Sequence, residues 1–345
     1  MRVLEQLSGI WWVLGLAVAI VPLAAQTPAA PSGPPTIEKK SPALDALIDT
    51  NATFEKLGDG YSWAEGPVWS KAGGFLLFSD IPNNVIQKWT PGAGIKEFLK
   101  PSGYYGTTPF TGHEPGSNGL TFDHQGRLVM CQHGSRRIAR LETDGKVTSL
   151  ADKYDGKRLN SPNDLVYHSS GALYFTDPPY GLPNRWDDKE KELPFQGVYR
   201  LGTDGALTLL TKELRAPNGL AFSPDEKMLY VAQSDPEKAI WMAYPVNADG
   251  SIGAGRVFAE VTADAKAKLP GLPDGMKVDV TGNLWATAPG GIHIYTAQGE
   301  LLGTIKTTVP TANLAWGDDG STLYITSNTA VWRVKTKAKG KIPGA

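Results

Sequence analysis

One unit recurs six times in this chain, and that recurrence constrains the fold more than any other feature. Each copy opens on an oxygen-bearing side chain, followed by a small or polar residue and a short apolar stretch. A turn with Gly, Asp or Ser comes next, then an aromatic and β-branched run. The copies are Glu65-Gly66-Pro67-Val68-Trp69 ahead of Phe75–Asp80, and Asn118-Gly119-Leu120-Thr121-Phe122 ahead of Leu128–His133. Asn163-Asp164-Leu165-Val166 precedes Leu173–Asp177, and Asn218-Gly219-Leu220-Ala221-Phe222 precedes Leu229–Asp235. Asp274-Gly275-Met276-Lys277-Val278 leads into Leu284–Ala288, and Asn313-Leu314-Ala315-Trp316 into Leu323–Asn328. A second hairpin follows in each unit, signalled by Pro91 to Gly94, Asp144-Gly145, Asp204-Gly205, Asp249-Gly250 and Gln298-Gly299. Asp-Gly favours such turns because both residues tolerate positive φ. The opening residues stand 53, 45, 55, 56 and 39 positions apart. Four strands in about 50 residues make a propeller blade. The reading is therefore an all-β, six-bladed β-propeller with four-stranded antiparallel blades around a central channel. The sixth unit lacks an outer strand, so the segment near Thr53–Leu57 is expected to supply it and remove an open edge.

Composition agrees: 39 glycines and 26 prolines in 345 residues imply many turns and few long helices. A net charge of −1 argues against a general nucleic-acid binder. The single cysteine, Cys131, rules out an intrachain disulfide and a thiolate zinc cluster. Arg2 followed by the apolar run Ile10 to Leu23 reads as a signal peptide, residues 1–25, because 14 residues are short for a spanning helix. An exported protein, periplasmic or secreted and free of the membrane after cleavage, is the expectation. Residues 26–45 then read as a Pro-rich linker, 46–335 as the propeller and 336–345 as a basic flexible tail.

In a propeller the first strand of each blade lines the channel. Glu65, Asn118, Asn163, Asn218, Asp274 and Asn313 therefore form a ring at one end of it. Two carboxylates and four amides on one axis call for a hard cation; Ca²⁺ suits them because it takes six to eight oxygen ligands. Mg²⁺, Mn²⁺ and Zn²⁺ remain alternatives, although no His or Cys holds a ring position. Any one of these residues, taken alone, reads more readily as a turn residue bonding nearby backbone than as a ligand; six in register at blade spacing do not.

At these residues the sequence resembles the family of gluconolactonases, regucalcin (senescence marker protein) and luciferin-regenerating enzyme. Glu65-Gly66-Pro67-Val68-Trp69 resembles that family's opening motif. The bacterial gluconolactonase branch is resembled by Asn118-Gly119-Leu120, Cys131-Gln132-His133-Gly134, Ser161-Pro162-Asn163-Asp164-Leu165, Thr176-Asp177-Pro178-Pro179-Tyr180-Gly181, Pro217-Asn218-Gly219-Leu220 and Pro273-Asp274-Gly275-Met276. The likeness runs over roughly residues 50 to 335. It implies a divalent cation held by Glu65, Asn218 and Asp274, with Asn163 either on the ion or on the substrate. Lactone hydrolysis is the implied activity.

A ligand set of four leaves positions for water and substrate, and such an ion polarises a carbonyl. Gly-x-Ser-x-Gly and His-Glu-x-x-His are both absent from the sequence. Asp274 and His133 are the candidate catalytic residues, His133 as general base. Asn118, Asn163, Asp177 and Tyr180 are the expected substrate contacts, Asp177 being equally readable as a turn residue or structural acceptor. The long loops Lys100–Ser117 and Asp177–Gln196 should cover a channel mouth. The expected partner is a small lactone, with no nucleic acid and a monomeric chain. Hydrolysis of other lactones or organophosphate esters, and a calcium-stabilised binding propeller without catalysis, are the competing readings.

Overall fold

The computed structural model describes residues 33–344. The expected signal segment, residues 1–25, lies outside the described residues. The described chain is a six-bladed propeller, each blade an antiparallel sheet whose innermost strand comes first. The inner strands are Ala64–Ser70, Ser117–Phe122, Leu165–Tyr167, Pro217–Phe222, Met276–Val278 and Asn313–Gly317, for blades one to six. The sixth blade is closed by Glu55–Asp59, which pairs with Ala330–Lys335 at the outer edge. First and last segments of the propeller thus share one sheet, so the ring has no open seam.

The fifth blade carries an additional strand. Thr36–Lys39 pairs antiparallel with Leu301–Lys306, and the 3₁₀ turn Pro42–Ala46 follows. Leu44 and Ile48 are buried there against Trp285, Ile305 and Trp332. From residue 36 onward, the segment expected as linker is part of the propeller. Pro42 does not oppose this, because it begins a turn where its missing N–H is not needed.

The core is divided among the six interfaces between neighbouring blades. Val68 and Leu77 of blade one meet Leu120 and Met130 of blade two. Trp69 of blade one stacks on Tyr324 of blade six, ring centres 5.2 Å apart. Each strand alternates its side chains, so one blade contributes to two such wedges. Burial of this apolar surface holds the blades face to face.

The C-terminal segment expected to be a flexible tail is also docked. Lys337 and Ala338 donate their N–H groups to Leu47 O at 2.8 and 2.9 Å. Val280 N–H donates to Lys339 O at 2.8 Å, and Gly340 N–H to Gly320 O at 3.0 Å. Gly340 lies so close to Trp316 that a Cβ would stand 1.9 Å from its Cδ1. The tail crosses the end of the channel where the inner strands finish. Beneath it is a cavity of about 500 Å³, lined by Leu120, Leu165, Leu220, Val278, Trp316 and Ile342. No helix among the described residues is long and apolar enough to cross a membrane.

Candidate functional site

The six opening residues lie at the other end of the channel, where the inner strands begin. Local backbone geometry aims them inward. In blades one, two and four the register slips at the opening pair, between Glu65 and Val68, Ser117 and Leu120, and Pro217 and Leu220. Such bulges re-aim a side chain at a strand end. The glycine after the opening residue has a packing reason. A Cβ on Gly66 would stand 2.0 Å from Asn118 O, and one on Gly219 would stand 2.2 Å from Asp274 O. In blades one, two, four and five the inner strand thus presses its glycine onto the opening residue of the next blade. Second strands latch the same joints: Ser79 Oγ donates to Asn118 O at 2.8 Å, and Thr176 Oγ1 to Asn218 O at 2.7 Å.

The ring is strongly buried, with Glu65 at 2% and Asn118, Asn163 and Asn218 at 3–5% exposure. Burial first, then the Asp164 carboxylate, pushes Glu65 up to about 8, against its Gly66 N–H hydrogen bond. Asp274 is pushed well up by burial, then by Glu65, Asp164 and Glu114. Its N–H donates to Thr287 Oγ1 at 3.1 Å, yet its Oδ1 is buried without a partner. Asn218 donates from Nδ2 to Ser234 Oγ at 2.9 Å and leaves its own Oδ1 buried and unpartnered. Orphaned acceptor oxygens and crowded carboxylates are costly unless a cation meets them. The donor set of Glu65, Asn218 and Asp274 therefore fits a hard divalent ion, with Asn163 beside them. Among the described residues no three His, Cys, Asp or Glu side chains form a cage, so amide oxygens must be part of any such set.

Asn313 stands apart from the other five. Its Oδ1 accepts from Leu314 N–H at 2.8 Å and from Lys277 Nζ at 3.3 Å, and its Nδ2 donates to Asp164 Oδ2 at 3.3 Å. With these partners it serves as a strut across the channel between the opposed sixth and third blades. Asp164 fills the position that holds glycine in four of the units, and the repeat pattern gave it no role. Lys277, in the middle of an inner strand, faces the same cluster.

Tyr180 sits in the turn packed against His133 and Ser161. Burial, and next the Asp274 charge, raise its hydroxyl far above the usual range. Its ring meets Trp186 edge-on at 5.6 Å, and the Arg185 guanidinium lies 5.9 Å from its centre. His133 is fully buried, with Nδ1 2.8 Å from Glu114 Oε2. Glu114, in the loop ahead of blade two, had no signal in the repeat.

Asp177 departs from the substrate contact expected of it. It is fully buried, and its Oδ2 accepts the Asn160 N–H at 2.8 Å. Asn160 Nδ2 returns to Asp177 O at 2.9 Å, so the pair fixes the loop that carries Asn163. These contacts are those of a structural acceptor, while Asp177 Oδ1 is buried without a partner. Burial raises the Asp177 carboxyl to about 7, against the loop N–H groups of Asn160 and Ser161 and the Arg136 charge. A group raised in the folded state stabilises below its unfolded value near 4 and loses that contribution as pH rises to about 7. The full span is worth about 4 kcal/mol. An Asp177→Asn variant keeps an acceptor for the loop and is expected to show a shallower loss of stability between pH 4 and 7. Urea midpoints of both proteins across that range test this; parallel slopes would refute it.

Comparison with known proteins agrees with this architecture. The SMP-30/Gluconolactonase/LRE-like region matches residues 63–329. The gluconolactonase of Zymomonas mobilis is 45% identical over 311 residues, 88% of this chain and 87% of that protein. The solved structure of a gluconolactonase from Xanthomonas campestris superposes with a TM-score of 0.76 at 34% identity, covering 89% of this chain and 99% of that one. Regucalcin from Agrobacterium tumefaciens, described as a calcium-binding protein, shares the fold at a TM-score of 0.66 and 20% identity, over 85% of this chain and 97% of that one. From the inner-strand ring to the closing sixth blade, and over most of its length, this chain belongs to the SMP-30/gluconolactonase/LRE-like family.

Proposed function

We propose that the chain is an exported lactonase that hydrolyses a sugar lactone at the ring end of the channel with the help of a divalent cation, most simply Ca²⁺. The observation that carries the reading is the pair of orphaned buried oxygens, Asn218 Oδ1 and Asp274 Oδ1, on an acidic ring. The similarity to gluconolactonases supplies the substrate class. Glu65, Asn218 and Asp274 would hold the ion, with Asn163 on the ion or on the substrate. When bound, such an ion polarises the lactone carbonyl and stabilises the charge that develops on its oxygen.

The chain's own residues do the remainder. Tyr180 and Trp186 present an aromatic wall, suited to the apolar face of a sugar ring. Asn118 offers an amide beside Asn163 for substrate hydroxyls. Burial of the ring limits water around the reacting carbonyl, which strengthens every polar contact made there. Placing a substrate against a fixed ring converts an encounter in solution into an oriented one.

The test is acid release from glucono-1,5-lactone by the mature protein, with uncatalysed opening subtracted. The expected result is a rate that vanishes after chelation and returns with Ca²⁺. A rate unchanged by chelation would remove the metal from the reading, and no rate above background would remove the sugar lactone.

A further inference from the structure

Every hydrolysis at this ring needs a group that accepts a proton from water. Asp274 and Glu65 are poor candidates, since ligating carboxylates are weakened bases. Another pair stands beside the ring: half-buried Glu114 with fully buried His133. Their separation is 2.8 Å, Nδ1 to Oε2. The approach is close without the alignment of a full hydrogen bond, so both His133 ring nitrogens are buried without a hydrogen-bond partner. Unpaired buried polar groups of this kind call for an explanation, and catalysis is one of them.

Exposure sets the order of the pair. The Glu114 side chain is 21% exposed, that of His133 0%. The group that meets water must be the one water can reach, so the carboxylate faces the chamber and the imidazole stands behind it. Glu114 lies in the loop that enters the inner strand Ser117–Phe122, just ahead of Asn118 at the ring end of the channel. The backbone holds the two side chains in register. His133 N–H donates to Gly116 O at 3.1 Å, and Gly116 N–H to Ile81 O at 3.0 Å. A Cβ on Gly134 would stand 2.4 Å from Pro115 O, so the two segments touch directly beside the pair. On the other side, a Cβ on Gly181 would meet His133 Cβ at 2.6 Å, which places the histidine against the turn that carries Tyr180.

We infer that Glu114 is the general base of this site and that His133 is its positioning residue, a reversal of the role the sequence suggested for the histidine. The inference rests on the lactonase reading. The Glu114 carboxylate takes one proton from water as the water oxygen bonds to the lactone carbonyl carbon and the carbonyl π pair moves to its oxygen. On collapse the ring C–O bond breaks, and the departing alkoxide recovers the proton from Glu114. Lactone and water become the open hydroxy acid, and the carboxylate is regenerated. His133, whose Nδ1 lies 2.8 Å from Glu114 Oε2, backs the carboxylate and limits its rotamers.

The experiment compares kcat and KM of the full protein with Glu114→Gln, His133→Asn and the double variant, alongside melting temperature. Glu114→Gln should lose about 10²-fold or more in kcat with KM within threefold, the scale of a lost general base. His133→Asn should lose about tenfold, and the double variant should be no worse than Glu114→Gln alone, because residues acting as one unit are not additive. Formate should restore part of the rate to Glu114→Ala, which a structural role would not allow. An active wild type with Glu114→Gln at full kcat, with losses that multiply in the double variant, or with no formate rescue overturns the assignment alone. A wild type that turns over no lactone overturns the lactonase reading and takes this assignment with it. A collapse of melting temperature in every Glu114 variant assigns the residue to folding and also overturns it.

Discussion

An Asp274→Asn variant is expected to lose lactone turnover by about 10³-fold or more while its metal-free form melts no lower than the wild type. The two effects share a cause. Asp274 starts the fifth inner strand, with its N–H anchored on Thr287 Oγ1 and its Oδ1 buried without a partner. Glu65 and Asp164 add like charge around it. Without a cation, folding must gather these carboxylates away from water, which is unfavourable. Asparagine keeps the shape and an acceptor oxygen but removes one charge, so the metal-free fold loses a repulsion. The same change removes the strongest donor from the proposed ion site. A ligand that binds only the folded state stabilises by RT ln(1 + [L]/Kd), about 2.7 kcal/mol at a hundredfold excess over Kd. The wild type should therefore gain melting temperature with added Ca²⁺, and Asp274→Asn should gain little. Calorimetric scans with and without the ion, beside the acid-release rate, decide the matter. A variant that keeps its rate would place the chemistry elsewhere; one that melts far below the metal-free wild type would make Asp274 a structural residue.

How much of this was legible in the sequence depends on whether a feature repeats. The six opening residues share a position in a unit of about 50 residues, so their common ring follows from the period alone. The outer strand of blade six was legible for the same reason: a unit lacking one strand must borrow it. Glu55–Asp59 supplies it two residues from the expected start. Thr36–Lys39 does not repeat, spans four residues and lies beside a Pro-rich stretch, so nothing local marks it as a strand. Its pairing is decided by the open edge of blade five. Asp164 escaped because it breaks the pattern, a carboxylate where other units need a glycine for close approach. Asn313 kept the pattern but is drawn into a strut by Asp164 and Lys277, a contact that spans 149 residues of sequence. Glu114 lies in an irregular loop, where no period reports direction. Asp177 was visible as the end of a hairpin, but only burial and the Asn160 contacts show that it supports the site from beneath.

The tail gives the second large expectation. Alternation of lysine with small residues from 335 to 341 reads as solvated chain, because charge is the visible feature. Docking instead depends on backbone groups and on what small residues permit. Thr336, Lys337, Ala338 and Gly340 donate N–H groups to Ser321, Leu47, Leu47 and Gly320, and Val280 donates back to Lys339. Gly340 is flat enough to lie on the Trp316 indole, and the lysines extend outward, with Lys341 Nζ reaching Glu226 of blade four at 3.4 Å. Ile342 packs against the apolar wedges on both sides of blade six. The strap thus joins blade six to blades five and four across the channel end remote from the ring. Deleting residues 337–345 uncovers Trp316 and opens the cavity behind it. Loss of that apolar cover costs about 2–4 kcal/mol. For a domain of this size that corresponds to roughly 3–6 °C in melting temperature. Turnover of lactone at 25 °C should change by less than about twofold, since the proposed site lies at the opposite end of the channel, and a twofold change is small beside one kcal/mol. Gly340→Val should reproduce part of the destabilisation without removing any residue, because its side chain must displace the tail from Trp316. An unchanged melting temperature in both variants would refute the strap. A lost rate in a truncated protein that still melts normally would show that the two ends of the channel are coupled.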